Sequence, residues 1–412
     1  MVHFEELKLT RQYINALEDL GFEQATPIQI KAIPAIRSGQ HVIGIAQTGT
    51  GKTAAFAIPI LDRLQRSKIK GRDNGIMCVV MVPTRELAIQ ITRAFEEFGK
   101  NTKVRVMSVF GGVEQDPQIE RLAKGVDIIV TTPGRMFDLV SQGYIKLNQV
   151  ETVVLDEADH MLDLGFIKDI QDLVKFLPKK RQTLFFSATI DEKIKKIAYS
   201  LVHKAIRIQI SPKDPVSKNV AHAVAFVKMD DKRFFLERLL KENPSMKVLV
   251  FVRTKVRAER VCAAMKRVEI ETQTIHGDKT QTERNAVMSA FRSGANRILI
   301  ATDVSARGID IPNVDYVVNY DLPDMPEHYV HRVGRTGRGR QKGKAISFSA
   351  PEEKLLLEEI EGFTHTPIEV LEVDWSDYQD TLDLTSETDD NWKKLMKEAE
   401  SAPKRKNRRK RK

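Results

Sequence analysis

The octapeptide Ala46-Gln47-Thr48-Gly49-Thr50-Gly51-Lys52-Thr53 constrains this chain more than any other stretch. It follows an apolar run (Val42, Ile43, Ile45) and leads into a helical pattern over residues 54–64, so it reads as strand, glycine turn, helix. Such a turn points successive backbone N–H groups at a phosphate chain, and the helix that begins at its end adds a positive dipole end. Lys52 is then placed to reach β- and γ-phosphates, and the Thr53 hydroxyl to ligate Mg²⁺. Ala46 stands where the usual pattern opens with glycine, a variant that leaves Gly49 and Gly51 to make the tight turn. Taken alone, the eight residues also fit a surface Gly/Thr loop beside a lysine. The rest of the chain decides between the two.

At 412 residues the chain is too long for one ordinary core, so two domains plus a tail are expected. With 42% hydrophobic and 30% charged residues it has enough apolar material for packed α/β cores, which excludes global disorder. Apolar runs such as residues 76–82 are too short to cross a bilayer, and residues 1–10 lack an apolar signal core. The expectation is a cytoplasmic protein with no membrane partner. Cys78 and Cys262 lie in different halves without ligand spacing and read as core residues of a reducing compartment. The net charge of +10 is unevenly placed, because residues 404–412 hold eight bases; subtracting those eight leaves +2. The body is weakly basic and the tail reads as an interaction arm for nucleic acid.

From Val42 onward, short β-branched runs alternate with longer helical patterns at 77–82, 104–110, 127–130, 152–155, 183–186 and 206–210. Residues 210–219 then break the pattern with two prolines, charges and serines, and read as a linker. A second series follows at 247–252, 271–275, 297–300, 316–319 and 345–348. Two α/β domains with parallel sheets in series result, spanning 33–209 and 220–365. Residues 1–32 precede them and 366–412 form a C-terminal extension. Within it, residues 372–391 carry eight acids and no base, and are expected to pack only through Trp375 and Tyr378. Polar clusters fall where strands end, where ligands of open parallel sheets bind.

One of these clusters, Asp156-Glu157-Ala158-Asp159, follows the apolar Val153-Val154-Leu155. Asp156 can hold Mg²⁺ through water beside the phosphates, and Glu157 can orient or deprotonate the attacking water. An acidic helix start is the plainer reading, but with Lys52 and Thr53 the residues make a phosphate, metal and base set.

At this point the chain resembles the DEAD-box RNA helicases of superfamily two, over about residues 4 to 350. The resemblance rests on an ordered series: Gly21-Phe22 through Thr26-Pro27-Ile28-Gln29, AQTGTGKT, PTREL, Gly111-Gly112, TPGR, DEAD, SAT, the strand end at Phe251 to Thr254, residues 302–310, and HRVGRTGR from His331. It implies two RecA-like domains closing on one ATP. Residues 1–32 then become an adenine-recognition segment, with Gln29 selecting ATP, Phe4 stacking on the base from seventeen residues before Gly21, and Phe22 beside them. The resemblance also implies Gly308 and Asp310 at the nucleotide, Asp310 on its ribose. Arg335 and Arg338 reach the γ-phosphate from the second domain as arginine fingers.

Arg85, Gly111, Gly112, Thr132, Arg135, Gly277 and Thr302 match positions that track an RNA backbone. The implied activity is RNA-stimulated hydrolysis of ATP with Mg²⁺, coupled to local separation of short RNA duplexes. The implied partners are RNA and ribosomal or RNA-decay proteins, with the chain a monomer. A DNA translocase shares the same engine, and a non-unwinding clamp would lack turnover. Two departures from the family pattern stand out: Ala25 replaces a proline, and Arg253 replaces an asparagine, which leaves its contact with RNA open.

Overall fold

The computed structural model describes residues 2–47, 49–69, 75–190, 192–202, 204–210, 216, 219–303, 314–337, 342–372 and 375–386. The first β-branched series forms seven strands: Val42–Ala46 (β1), Cys78–Met81 (β2), Val106–Val109 (β3), Ile128–Thr131 (β4), Thr152–Leu155 (β5), Gln182–Ser187 (β6) and Ile206–Ile210 (β7). All pair in parallel, in the order β3-β4-β2-β5-β6-β1-β7. Every residue of β1, β2, β4, β5 and β6 is buried, because helices cover both faces of the sheet. Neighbouring residues of a strand therefore enter different cores: Val42, Val80 and Val154 on one face, Ile43, Val79 and Val153 on the other.

The second lobe repeats the plan. Its strands are Val220–Phe226 (β8), Val248–Phe251 (β9), Gln273–Ile275 (β10), Ile298–Ala301 (β11), Tyr316–Asn319 (β12), Gly343–Ser349 (β13) and Glu369–Val370 (β14). Their order is β10-β11-β9-β12-β13-β8-β14, the same permutation as in the first lobe. Two of these strands lie outside the expected series. β8 follows the linker and contains His222, and β14 is only two residues long, so neither offers the run of β-branched residues that marks a strand. Residues beyond 365 are also more ordered than expected: Leu371 N donates to Val224 O (2.8 Å), and Trp375–Ser386 is a helix. Of the expected linker, only residues 210, 216 and 219 are among those described.

Threonines terminate several strands and start the helices that follow. Thr84 Oγ1 accepts from Leu87 N (3.3 Å) ahead of Arg85–Phe98, and Thr254 Oγ1 from Arg257 N (3.2 Å) ahead of Lys255–Arg267. Thr280 Oγ1 accepts from Glu283 N, and Glu283 bonds back to Thr280 N (2.7 Å), a complete capping box. These caps leave helix N-termini at the carboxyl ends of the strands, beside the cleft between the lobes. Among the described residues, no helix is long and apolar enough to cross a membrane.

Candidate active site and nucleic-acid interface

The octapeptide folds as its spacing requires: β1, a loop, then the helix Lys52–Ile69. Gly49 and Gly51 adopt φ of +84° and +91°. At Gly51 a Cβ would also lie 2.4 Å from Gln29 Nε2 and displace that amide. Thr50 Oγ1 donates to Gln47 O (2.7 Å), closing the loop on itself. Gln29 joins this loop to the N-terminal segment: its Oε1 accepts from Thr26 N (2.9 Å) and its Nε2 donates to Gly51 O (3.2 Å). Sequence reasoning assigned Gln29 to a ligand edge; the structure adds that it braces the phosphate loop.

Lys52 is buried, and its Nζ makes no hydrogen bond. A buried ammonium without a hydrogen bond is costly unless an anion meets it, and a triphosphate fits that need. Asp156 follows β5 and is buried, with an exposure of 3%. Burial pushes its carboxyl up to about 7, only partly offset by Lys52. Glu157 behaves in the opposite way. Burial alone would raise it, but His160, Lys52 and Arg335 together hold it at about 2. His160 Nδ1 lies 3.7 Å from Glu157 Oε2. Glu157 also sits at φ +50°, a conformation non-glycine residues rarely keep without a reason. Among the described residues no cluster of three or more His, Cys, Asp and Glu makes a ready metal site, so a divalent cation would rely on Asp156, Thr53 and phosphate oxygens.

Arg335 comes from the second lobe, yet acts electrostatically on Glu157 of the first. Its side chain is buried, with Nε donating to His331 O (3.2 Å). The two lobes therefore contribute to one site. Asp159 ties that site to the segment after β6, its Oδ2 accepting from Ala188 N (3.0 Å) and Thr189 N (3.1 Å). Phe4 is buried in the first lobe's core, whereas Phe22 is half exposed and packs edge-on to Phe98. Thr48, Gly308, Asp310 and Arg338 lie outside the described residues.

Of the expected backbone-tracking residues, Arg85, Gly112 and Arg135 lie together. Arg85 begins the helix after β2 and donates to Gln281 Oε1 of the second lobe (3.3 Å). Next to it, Glu86 pairs with Arg284 (2.7 Å), with both side chains largely buried. Gly112 has φ +76°, and a Cβ there would collide with the Arg85 guanidinium. Arg135 donates to Val113 O (3.1 Å), Thr132 precedes the helix Pro133–Ser141 without a side-chain capping bond, Gly277 faces open space, and Thr302 follows β11. Sequence reasoning missed Glu86, Gln281 and Arg284. The signal for Gln281 and Arg284 is the QTER run at 281–284, just after His276-Gly277-Asp278, and for Glu86 the PTREL run at 83–87.

Arg332, also unassigned beforehand, is almost fully buried and grips Asp303 through two hydrogen bonds of 2.6 Å. Arg253 is similarly engaged inside its own lobe, with Asp324 (3.0 Å), Glu353 (3.1 Å) and Leu322 O (3.1 Å). Its guanidinium braces the second lobe.

A phosphate loop, an acidic strand end and an arginine delivered by a second sheet of the same topology define a two-lobed RecA-like P-loop ATPase. The DEAD/DEAH box helicase model matches residues 26–197, and the helicase conserved C-terminal domain model matches residues 231–340. The chain is 42% identical over 369 residues to the DEAD-box ATP-dependent RNA helicase CshA of Geobacillus kaustophilus, covering 90% of this chain and 78% of that protein. It is 41% identical to CshA of Bacillus subtilis, over 88% of this chain and 72% of the relative. The chain thus belongs to the DEAD-box ATP-dependent RNA helicase family.

Among solved structures, S. cerevisiae Dbp5 bound to RNA and ADP BeF3 superposes with a TM-score of 0.81 at 31% identity, covering 93% of this chain and 99% of that one. Mss116p bound to ssRNA and AMP-PNP gives 0.82 at 28% identity, covering 92% and 81%. A DEAD box protein of Methanococcus jannaschii reaches only 0.53 despite 37% identity, covering 90% and 99%. The overlap therefore does not follow sequence identity.

Proposed function

We infer that the chain is an ATP-hydrolysing RNA helicase that works as a two-lobed clamp. The observation that carries this reading is the pairing of a buried, hydrogen-bond-free Lys52 ammonium and an ionised Glu157 on one lobe with Arg335 from the other. Lys52 and the loop N–H groups bind the phosphates, Glu157 orients and deprotonates the attacking water, and Arg335 neutralises charge on the transferred phosphoryl group. Mg²⁺ held by Asp156 and Thr53 would supply further charge neutralisation. Gln29 serves the adenine, while the burial of Phe4 in the core argues against its stacking on the base.

Because the lobes meet at Arg85–Gln281 and Glu86–Arg284, beside Gly112, closure on nucleotide also shapes the polynucleotide surface. Arg85, Arg135, Thr132, Thr302 and the glycines at 111, 112 and 277 then hold an RNA backbone without reading its bases. Local strand separation follows when the closed surface accepts only one strand, and hydrolysis resets the clamp. The reading places a monomer in the cytoplasm.

The test measures ATP turnover with single-stranded RNA and DNA of equal length, together with release of a short RNA duplex. Stimulation by RNA and duplex release are expected. Equal stimulation by DNA would favour a DNA translocase, and absence of both turnover and duplex release a non-unwinding clamp.

A further inference from the structure

We propose that residues 391–403 of this chain dock in cis into a groove on the outer face of the second lobe. The groove, about 1060 Å³, runs along the helix Lys255–Arg267 beside the start of Lys232–Glu242. Val256, Val261 and Ala264 give it an apolar floor, and Arg233, Arg260 and Arg267 line it. Val256 is 54% exposed, an aliphatic side chain on a helix face that nothing among the described residues covers.

The preceding helix, Trp375–Ser386, brings the chain to this place. Tyr378 OH donates to Asp231 Oδ2 (2.8 Å) and accepts from Lys228 N (3.1 Å), its ring lies 4.9 Å from that of Phe235, and Arg238 donates to Thr381 Oγ1 (2.7 Å). Since Tyr378 meets Asp231 and Thr381 meets Arg238, Trp375–Ser386 runs parallel to Lys232–Glu242 and exits toward the end that carries Glu242. Arg257 bonds Met229 Sδ, which sets the start of Lys255–Arg267 beside the start of Lys232–Glu242. Both helices lead into or out of β9 and run in the same sense, so Arg267 lies toward the exit.

Residues 387–391 span about 17 Å when extended. That suffices to cross one helix at a spacing of roughly 8 to 10 Å. Three of those five residues are Glu387, Asp389 and Asp390, which complement Arg267 at the near end of the groove. Trp392, Leu395, Met396 and Ala399 then recur at helical spacing and form one apolar stripe for the floor. Running back along Lys255–Arg267, this segment finishes near Thr254, at the strand ends that face the cleft. It would hand the basic residues 404–412 to the polynucleotide surface, a consequence that rests on the RNA-clamp reading; the docking itself does not.

The test uses the full chain with Trp375→Phe, leaving Trp392 as the single indole. Acrylamide should quench Trp392 several-fold less than in denaturant, and Val256→Asp or Ala263→Asp should restore free quenching. A second measurement keeps Trp375: Leu395→Asp should speed amide exchange across Lys255–Arg267. Quenching in the native chain equal to that in denaturant overturns the proposal. So does shielding that survives both groove variants, or shielding that depends on protein concentration, which would point to a second copy. Docking with unchanged affinity for a short RNA in the groove variants would leave the docking intact and overturn the delivery of residues 404–412.

Discussion

Glu157 and Asp156 are adjacent carboxylates with opposite electrostatics, one held near 2 and the other raised to about 7. Glu157 is therefore ionised across the working pH range and able to accept a hydrogen bond from the attacking water. Glu157→Gln should still bind ATP and RNA while hydrolysis falls by about 10² to 10⁴, measured as single-turnover phosphate release. Wild-type turnover in that variant would remove Glu157 as the base. For Asp156 the sign is reversed. Its folded-state value lies above its ordinary 3.8, so the folded protein keeps a proton that the unfolded chain has lost, and stability falls as pH rises from about 4 to about 7. Melting of the nucleotide-free protein should show this slope, and Asp156→Asn should flatten it. A cation on Asp156 expels the same proton, so Mg·ATP binding near pH 6 should release protons in calorimetry with buffers of differing ionisation enthalpy.

At the scale of elements, the helices Arg85–Phe98 and Gln281–Ser293 carry two of the contacts between lobes, in addition to His328–Asp163. Glu86 and Arg284 are largely buried, so each is costly to leave alone. A double-mutant cycle on Glu86→Gln and Arg284→Gln should give a coupling of about 1 to 3 kcal/mol in RNA affinity measured with a non-hydrolysable nucleotide. Additivity would mean the pair does not couple the lobes. Gly112→Ala combines an unfavourable φ with a clash against Arg85. It should weaken RNA binding at least several-fold and leave nucleotide binding unchanged. The element pattern itself was legible in sequence, because buried parallel strands need continuous β-branched runs between helical stretches. β8 and β14 were not, since one carries a histidine and the other borrows its order from β8.

At the scale of the molecule, the two sheets share one strand order and differ in what their loops hold. Lys52 and Glu157 lie on one lobe and Arg335 on the other, so the clamp reading requires lobe separation to change when ligands come and go. Dyes on the two lobes should approach one another when a nucleotide analogue and RNA are added together, and less with either alone. A fixed distance would sink the clamp. Removing residues 404–412 should lower RNA affinity and flatten its salt dependence without altering basal turnover, since eight bases release counterions only when they meet phosphates.

The sequence by itself determined the two-sheet architecture, the phosphate loop and the acidic strand end, because each depends on residues that are neighbours along the chain. Arg335 was singled out through the family motif that contains it. What the sequence did not reveal were partnerships across long separations: Glu86 with Arg284, Arg332 with Asp303, and Arg253 turned into its own lobe. Those depend on which loops two sheets bring together and on which side of a backbone a long side chain finds its counter-charge. Only the tertiary structure fixes that, because an ion pair is chosen by distance in space, and spacing along the chain carries no record of it.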